Sequence, residues 1–147
     1  MKRHPALEPF SRDHNDGLIL ARNLELDRDG AIEAMRLAWN VELEDHFAEE
    51  ERLLIPLASE AAADRLRAEH EEIARRVQRL PDEPEVLGVL LRDHIRWEER
   101  VLFVEIEMTA SEAQLATLAE QTDALELRRH EHDAQRKRLV RRRRGLD

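Results

Sequence analysis

Cysteine is absent from the 147 residues, which excludes disulfides, thiolate metal sites and cysteine nucleophiles and fits a reducing cytosol. Glycine and proline are scarce, with four and five residues, a poor supply for a sheet protein with many turns. No apolar run approaches the roughly 20 residues that a membrane-crossing helix needs. The opening MKRHPALEPF lacks the continuous apolar segment of a signal peptide. A cytoplasmic protein without membrane association is therefore expected. What is present is charge, at 39% of residues, together with abundant Leu, Ala, Glu and Arg. This is the composition of long solvated helices, so the fold class is all-α. The length suits one domain. The net charge of −9 is unevenly spread: residues 128–144, RRHEHDAQRKRLVRRRR, carry nine Lys and Arg against two acids, a net +7, which leaves −16 for the rest. An acidic body with a basic tail follows, and the tail can meet an anionic partner or lie against its own body.

Apolar periodicity marks four long helices separated by short breaks. The first follows Pro9, carries Phe10, His14, Gly17, Ala21 and Leu24 on one side, and stops near DRDG at residues 27–30. The second runs from Gly30 to about Pro56 through Ile32, Met35, Trp39, Leu43, His46, Glu50 and Leu53. The third begins after Ser59 with Ala63, Leu66, His70, Ile73, Val77 and Leu80. The fourth follows PDEP, whose Asp82 and Glu85 suit a capping box, and carries Leu87, Leu91, His94, Glu98 and Val101. SEAQ at residues 111–114 caps a fifth helical stretch that leads into the basic tail. Short connections predict antiparallel neighbours. The expectation is an up-down-up-down four-helix bundle over residues 1–110 and a C-terminal helical extension with an Arg-rich tail over residues 111–147.

Each of the four apolar stripes contains one histidine, and the intervals between them can be set against the turns. The midpoint of His14 and His46 is Gly30, that of His46 and His70 is Ala58, and that of His70 and His94 is Asp82. All three midpoints lie in breaks. Residues equidistant from a turn face each other at the same height in an antiparallel hairpin, so the four imidazoles fall in one layer. Glu50 and Glu98 follow His46 and His94 by four residues, about one turn of 5.4 Å. The spacing alone is weak, because Glu fills 22 of 147 positions and follows a given His at this interval about one time in seven. The shared layer is the stronger signal. Two unpaired carboxylates buried together would cost several kcal/mol each, and four neutral imidazoles would leave ring nitrogens without partners. A pair of metal ions removes both penalties, with imidazoles in terminal positions and carboxylates bridging.

The segments HPALEPFSRDH, HFAEEERLLIP, AEHEEI and HIRWEERVLF, spanning roughly residues 4–108, resemble the hemerythrin-like (HHE cation-binding) family. The resemblance implies a four-helix bundle around a non-haem di-iron centre, with two iron ions joined by an oxo or hydroxo bridge. His14, His46, His70 and His94 match the family's imidazole ligands, and Glu50 and Glu98 its bridging carboxylates. Two departures stand out. Where the family has a second third-helix histidine this chain has Ala74, and where it has Asp five residues after the fourth-helix histidine this chain has Glu98 at four. Each iron then has two imidazoles, from His14 with His46 and from His70 with His94. Some relatives supply a tyrosine or another acid, but this chain has no tyrosine; Glu49 or Glu72 could swing in, although both lie off the stripe. Such a centre is expected to turn over or sense rather than ferry oxygen. Its ligands would be dioxygen, peroxide or nitric oxide. A peroxidase-like or catalase-like activity stands beside an iron, redox or oxygen sensor without turnover.

The acids that precede the histidines, Asp13, Asp45, Glu69 and Asp93, point about 100° away on their own helices and read as solvated charges, whereas Glu42, one turn before His46, reads as an outer partner. Trp39 and Trp97 read as packing residues and Glu105 as a bundle-end residue. His4, His130 and His132 fall outside the layer. The basic tail has no interleaved aromatics to stack bases, and the acidic body repels phosphates, which argues against nucleic acid as a partner.

Overall fold

The structure, a computed structural model, describes residues 2–143, with side chains described through residue 131. Every regular element among the described residues is helical. Helix α1 (Glu8–Glu25) takes Pro9 in its first turn, where a missing N–H is harmless. The chain then turns through Asp27 at φ 49° and Gly30 at φ 80°, the latter a conformation that favours glycine. Helix α2 (Ala31–Ala38) passes through a π-helical turn, Trp39–Leu43, into α3 (Glu44–Leu54), which ends in the 3₁₀ turn Ile55–Leu57. Ser59 caps α4 (Glu60–Arg79) by accepting the Ala62 N–H at 3.2 Å. Helix α5 (Pro84–Trp97) continues through a second π turn, Glu98–Leu102, into α6 (Phe103–Thr109). Helix α7 (Glu112–Arg143) opens with the reciprocal cap that SEAQ predicts: Gln114 N–H donates to Ser111 Oγ at 3.1 Å and Ser111 N–H to Gln114 Oε1 at 2.8 Å. Because α2 runs into α3 and α5 into α6, the seven helices make five rods.

Two expectations are corrected. The predicted Asp82–Glu85 capping box does not form: Glu83, at φ 48°, occupies the cap position without a side-chain bond, and Pro84 opens α5. Pro84 leaves one N–H fewer to be capped there, so the helix needs one acceptor fewer, and the Glu83 carboxylate accepts from Arg76 at 2.8 Å instead. Val101, expected on the buried stripe, is 49% exposed, while Leu102 and Phe103 are fully buried. The π turn beginning at Glu98 supplies the reason, since its wider i to i+5 spacing rotates the following residues and moves the apolar face one position on.

The rods enclose two apolar clusters. One gathers Leu7, Phe10, Leu53, Leu66, Trp97 and Phe103, and the other gathers Leu24, Met35, Phe47, Ile73, Leu91 and Ile95. Along α1 the change from one cluster to the other falls at His14, along α4 at His70, and along the other two rods around His46–Glu50 and His94–Glu98. The polar side chains therefore form the layer between two dry compartments. Helix α7 docks Leu115, Leu118 and Leu125 into the first cluster. Most side chains of the basic segment 128–144, including His132, lie outside the described residues, so the expected anionic-partner surface is not placed; His130 is exposed. No helix among the described residues is long and apolar enough to cross a membrane.

The most extensive helix contact is between α1 and α5, and Gly88 sets its closeness. A Cβ there would lie 2.6 Å from the Ala21 carbonyl oxygen and 2.8 Å from the Glu25 amide nitrogen, backbone atoms that cannot move aside. Gly88→Ala is predicted to lower unfolding stability in urea by about 1–3 kcal/mol, despite alanine's helix advantage of about 1 kcal/mol. Gly17→Ala, whose Cβ would press only on the flexible Cδ1 of Ile95 at 2.8 Å, should cost less. A Gly88→Ala protein as stable as the wild type would refute the close approach.

Candidate metal centre

His14, His46, His70 and His94 are buried, with 5%, 4%, 4% and 1% of their surface exposed, and Glu50 and Glu98 are at 0%. Their donor atoms make two overlapping groups, His14–His46–Glu50–Glu98 and His70–His94–Glu50–Glu98, each with its atoms within 4.8 Å of one another. Both carboxylates belong to both groups. The Nε2 atoms face inward: His14 stands 2.7 Å from Glu98 Oε2, His94 2.8 Å from Glu98 Oε1, and His46 and His70 each 3.3 Å from Glu50 Oε1.

The opposite nitrogen of each ring is tied outward to a carboxylate. His14 Nδ1 lies 2.7 Å from Glu99 Oε1, His46 Nδ1 3.1 Å from Asp13 Oδ2, His70 Nδ1 3.0 Å from Glu51 Oε2 and His94 Nδ1 2.8 Å from Glu69 Oε1. In each case the acceptor comes from the rod before in a closed cycle: α1 serves His46, α3 serves His70, α4 serves His94, and the rod of α5 and α6 serves His14. A carboxylate at Nδ1 fixes the proton on that nitrogen and leaves the Nε2 lone pair aimed at the centre, the arrangement in which imidazole binds a cation.

That tautomer explains an otherwise costly feature. Both oxygens of Glu50, both oxygens of Glu98, and Nε2 of His70 and His94 are fully buried and without a hydrogen bond, although nitrogen and oxygen approach closely. Neutral rings that donate from Nδ1 have no second proton to give. Buried charges left this way cost several kcal/mol each. The donor set, nitrogen and oxygen only, directed at shared points and lacking internal partners, fits a pair of metal ions. No protein-family model, curated protein or solved structure matches this chain.

Aromatic rings seal the layer. Phe47 stacks on His70 with centroids 3.9 Å apart, Phe103 lies parallel to His14 at 5.6 Å, and Phe10 sets its edge to His46 at 5.7 Å. Trp39 and Trp97 are buried packing residues, as expected. A cleft of about 620 Å³ lined by Asp13, Gly17, Leu20, Leu43, His46 and Arg129, among others, approaches the His14–His46 half.

The six residues proposed from sequence meet here, but several of their surroundings were misassigned. Asp13 and Glu69, read as solvated charges, are the partners of His46 and His94. A side chain turned 100° from its own ligand faces the imidazole of the neighbouring helix, which a one-helix projection misses. Asp45 and Asp93 are exposed, as expected. Glu42, read as an outer partner, is exposed and makes no side-chain hydrogen bond among the described residues. Glu49 is held by Arg129 at 2.5 Å, and Glu72 by Arg75 and Arg76, so neither swings toward the centre. Glu105 accepts the Ser59 N–H at 2.8 Å at the end of the layer's rods, and His4 accepts the Ala6 N–H at 3.0 Å. Glu51 and Glu99 were missed, although a signal existed: each directly follows a central carboxylate, in HFAEEE and HIRWEE.

When no cation is bound, protons must compensate the carboxylates. Burial opposes charge on the rings, yet Glu50 and Glu98 raise His70 to about 10, and Glu50 with Asp13 raises His46 to about 9, from an ordinary 6.5. Glu98 is pushed up by burial and by Glu50 but is brought down to about 2 by His94, His14 and His70. The histidines thus contribute stability that is complete below their unfolded pKa of 6.5 and lost as pH rises through 9 to 10. Glu98 contributes stability that is complete above 4.5 and lost as pH falls toward 2. Metal-stripped protein is therefore predicted to lose stability in denaturant titrations between pH 6.5 and 10, whereas metal binding, which displaces these protons, should tighten over the same interval and release protons into weak buffer. A pH-independent metal affinity with no proton release would contradict the assignment.

Proposed function

We propose that the chain is a di-iron protein of hemerythrin type, an up-down-up-down antiparallel four-helix bundle that binds and reacts with dioxygen, peroxide or nitric oxide. The observation that carries this reading is the pair of fully buried, unbonded carboxylates ringed by four inward Nε2 atoms. His14 and His46 would hold one iron, His70 and His94 the other, and Glu50 and Glu98 both. Iron bound there supplies redox and Lewis-acid chemistry toward small oxygen and nitrogen species.

The protein's own groups do the rest. The Nδ1 bonds to Glu99, Asp13, Glu51 and Glu69 hold the imidazoles in the binding tautomer and raise their donor strength. Phe10, Phe47 and Phe103 keep bulk water from the layer. Ala74, packed against the apolar cluster, offers no third imidazole on α4, so the His70–His94 side has two. The cleft beside His46 gives small ligands a way in at the other half. Two imidazoles per ion leave more exchangeable coordination than a reversible oxygen carrier uses, which favours reaction.

A sensor without turnover is the second reading. It is favoured by the C-terminal helix, which reaches one of the centre's outer carboxylates, Asp13, through Arg129.

Elemental analysis of protein from iron-supplied cells should find about two iron ions per chain with near-ultraviolet charge-transfer absorption that shifts on adding azide. His46→Ala and Glu98→Ala should each cut the iron content to half or less. Less than one iron per chain, or unchanged content in both variants, would refute the reading.

A further inference from the structure

The outer carboxylates are themselves held, and unequally. Arg129 on α7 donates from Nη1 to Asp13 Oδ2 at 2.5 Å and from Nη2 to Glu49 Oε2 at 2.5 Å. The same Asp13 oxygen takes the His46 Nδ1 bond at 3.1 Å. Arg3, ahead of α1, donates to Glu99 Oε2 at 3.0 Å while Glu99 Oε1 takes His14. Both imidazoles of the His14–His46 half are thus braced from segments that carry no ligand. The other half differs: Glu69 is met by Arg65 from its own helix, half-exposed at 52%, and no arginine reaches Glu51 among the described residues. Arg129 and both its partners also line the cleft beside His46.

We propose that Arg129 is a positioning residue for the His14–His46 half of the centre, holding Asp13 against His46 and spanning the cleft from α1 to α3, so that docking of the C-terminal helix governs that half alone. The inference rests on the reading that the cluster holds two metal ions. A guanidinium presents a rigid fork able to bind two carboxylates at once, which a lysine ammonium cannot reproduce in the same geometry. With Arg129 in place the Asp13 oxygen has two donors and one position. Without it Asp13, whose side chain is 37% exposed, turns to water and the His46 ring loses its fixed orientation. Loss of such outer partners weakens metal binding by about 10–100-fold.

The test uses the full chain loaded with cobalt(II), whose visible spectrum reports its ligands, and follows release to excess EDTA by stopped flow. The wild type should release two equivalents in separate phases. Arg129→Gln should accelerate one phase about tenfold or more and alter the spectrum of that cobalt, with melting of the metal-free fold unchanged; Arg129→Lys should behave like Gln in release. Arg65→Gln should spare that phase. Adding Arg129→Gln to Asp13→Asn should cause no further acceleration, because the arginine acts through Asp13. The inference is overturned if Arg129→Gln leaves both phases alone, speeds both equally, or adds fully to Asp13→Asn. A wild type that binds no cobalt and no iron would instead overturn the metal reading on which it rests.

Discussion

Two carboxylates, Glu50 and Glu98, meet in the interior with no surface exposed and no hydrogen bond to any of their four oxygens. Bringing two negative groups so close in a dry place is strongly unfavourable unless positive charge lies between them or beside them. Everything around the layer answers that requirement. Four imidazoles surround the pair, apolar clusters close it on both sides, and three phenylalanines pack on the rings. The fold can satisfy the carboxylates with protons on the histidines or with cations at Nε2. The outward Nδ1 bonds direct each Nε2 at the carboxylates, where it can carry either the compensating proton or a cation.

The cycle of Nδ1 bonds also links the rods. Each ligand-bearing rod accepts from a histidine on the next, so the orientation of one imidazole depends on the position of the neighbouring helix. Packing and coordination geometry are then one problem. Helix α1 approaches α5 closely at Gly88, and the π turn that starts at Glu98 realigns the helix beyond it so that Leu102 and Phe103 reach the core. Segments that carry no ligand also join this frame, Arg3 ahead of α1 through Glu99 and Arg129 on α7 through Asp13.

Much of this was legible before any coordinates. The six central residues could be found because the histidine intervals bisect at the turns, an argument that needs only antiparallel helices of regular rise. The helix count, the start of the third helix after Ser59 and the Ser111 cap followed from local chemistry. What was lost depended on tertiary neighbours. Asp13 and Glu69 looked solvated because their partners are on other helices, and Glu42 looked useful only in projection on its own. Val101 was misplaced because a single inserted residue in a π turn has no strong signature in periodicity. Arg129 sits some eighty residues from Glu49, and nothing in the basic run singles it out from its neighbours.

The site's two halves share their carboxylates, and the cleft and the Arg3 and Arg129 contacts lie at the His14–His46 half. All of it depends on cations between the histidine pairs. Crystals grown from iron-loaded protein and measured at the iron absorption edge test this most directly. The account predicts two anomalous peaks inside the layer, one flanked by His14 and His46 and the other by His70 and His94, both touching Glu50 and Glu98. A map without peaks there, with the imidazoles turned to donate protons to the two carboxylates, would contradict it.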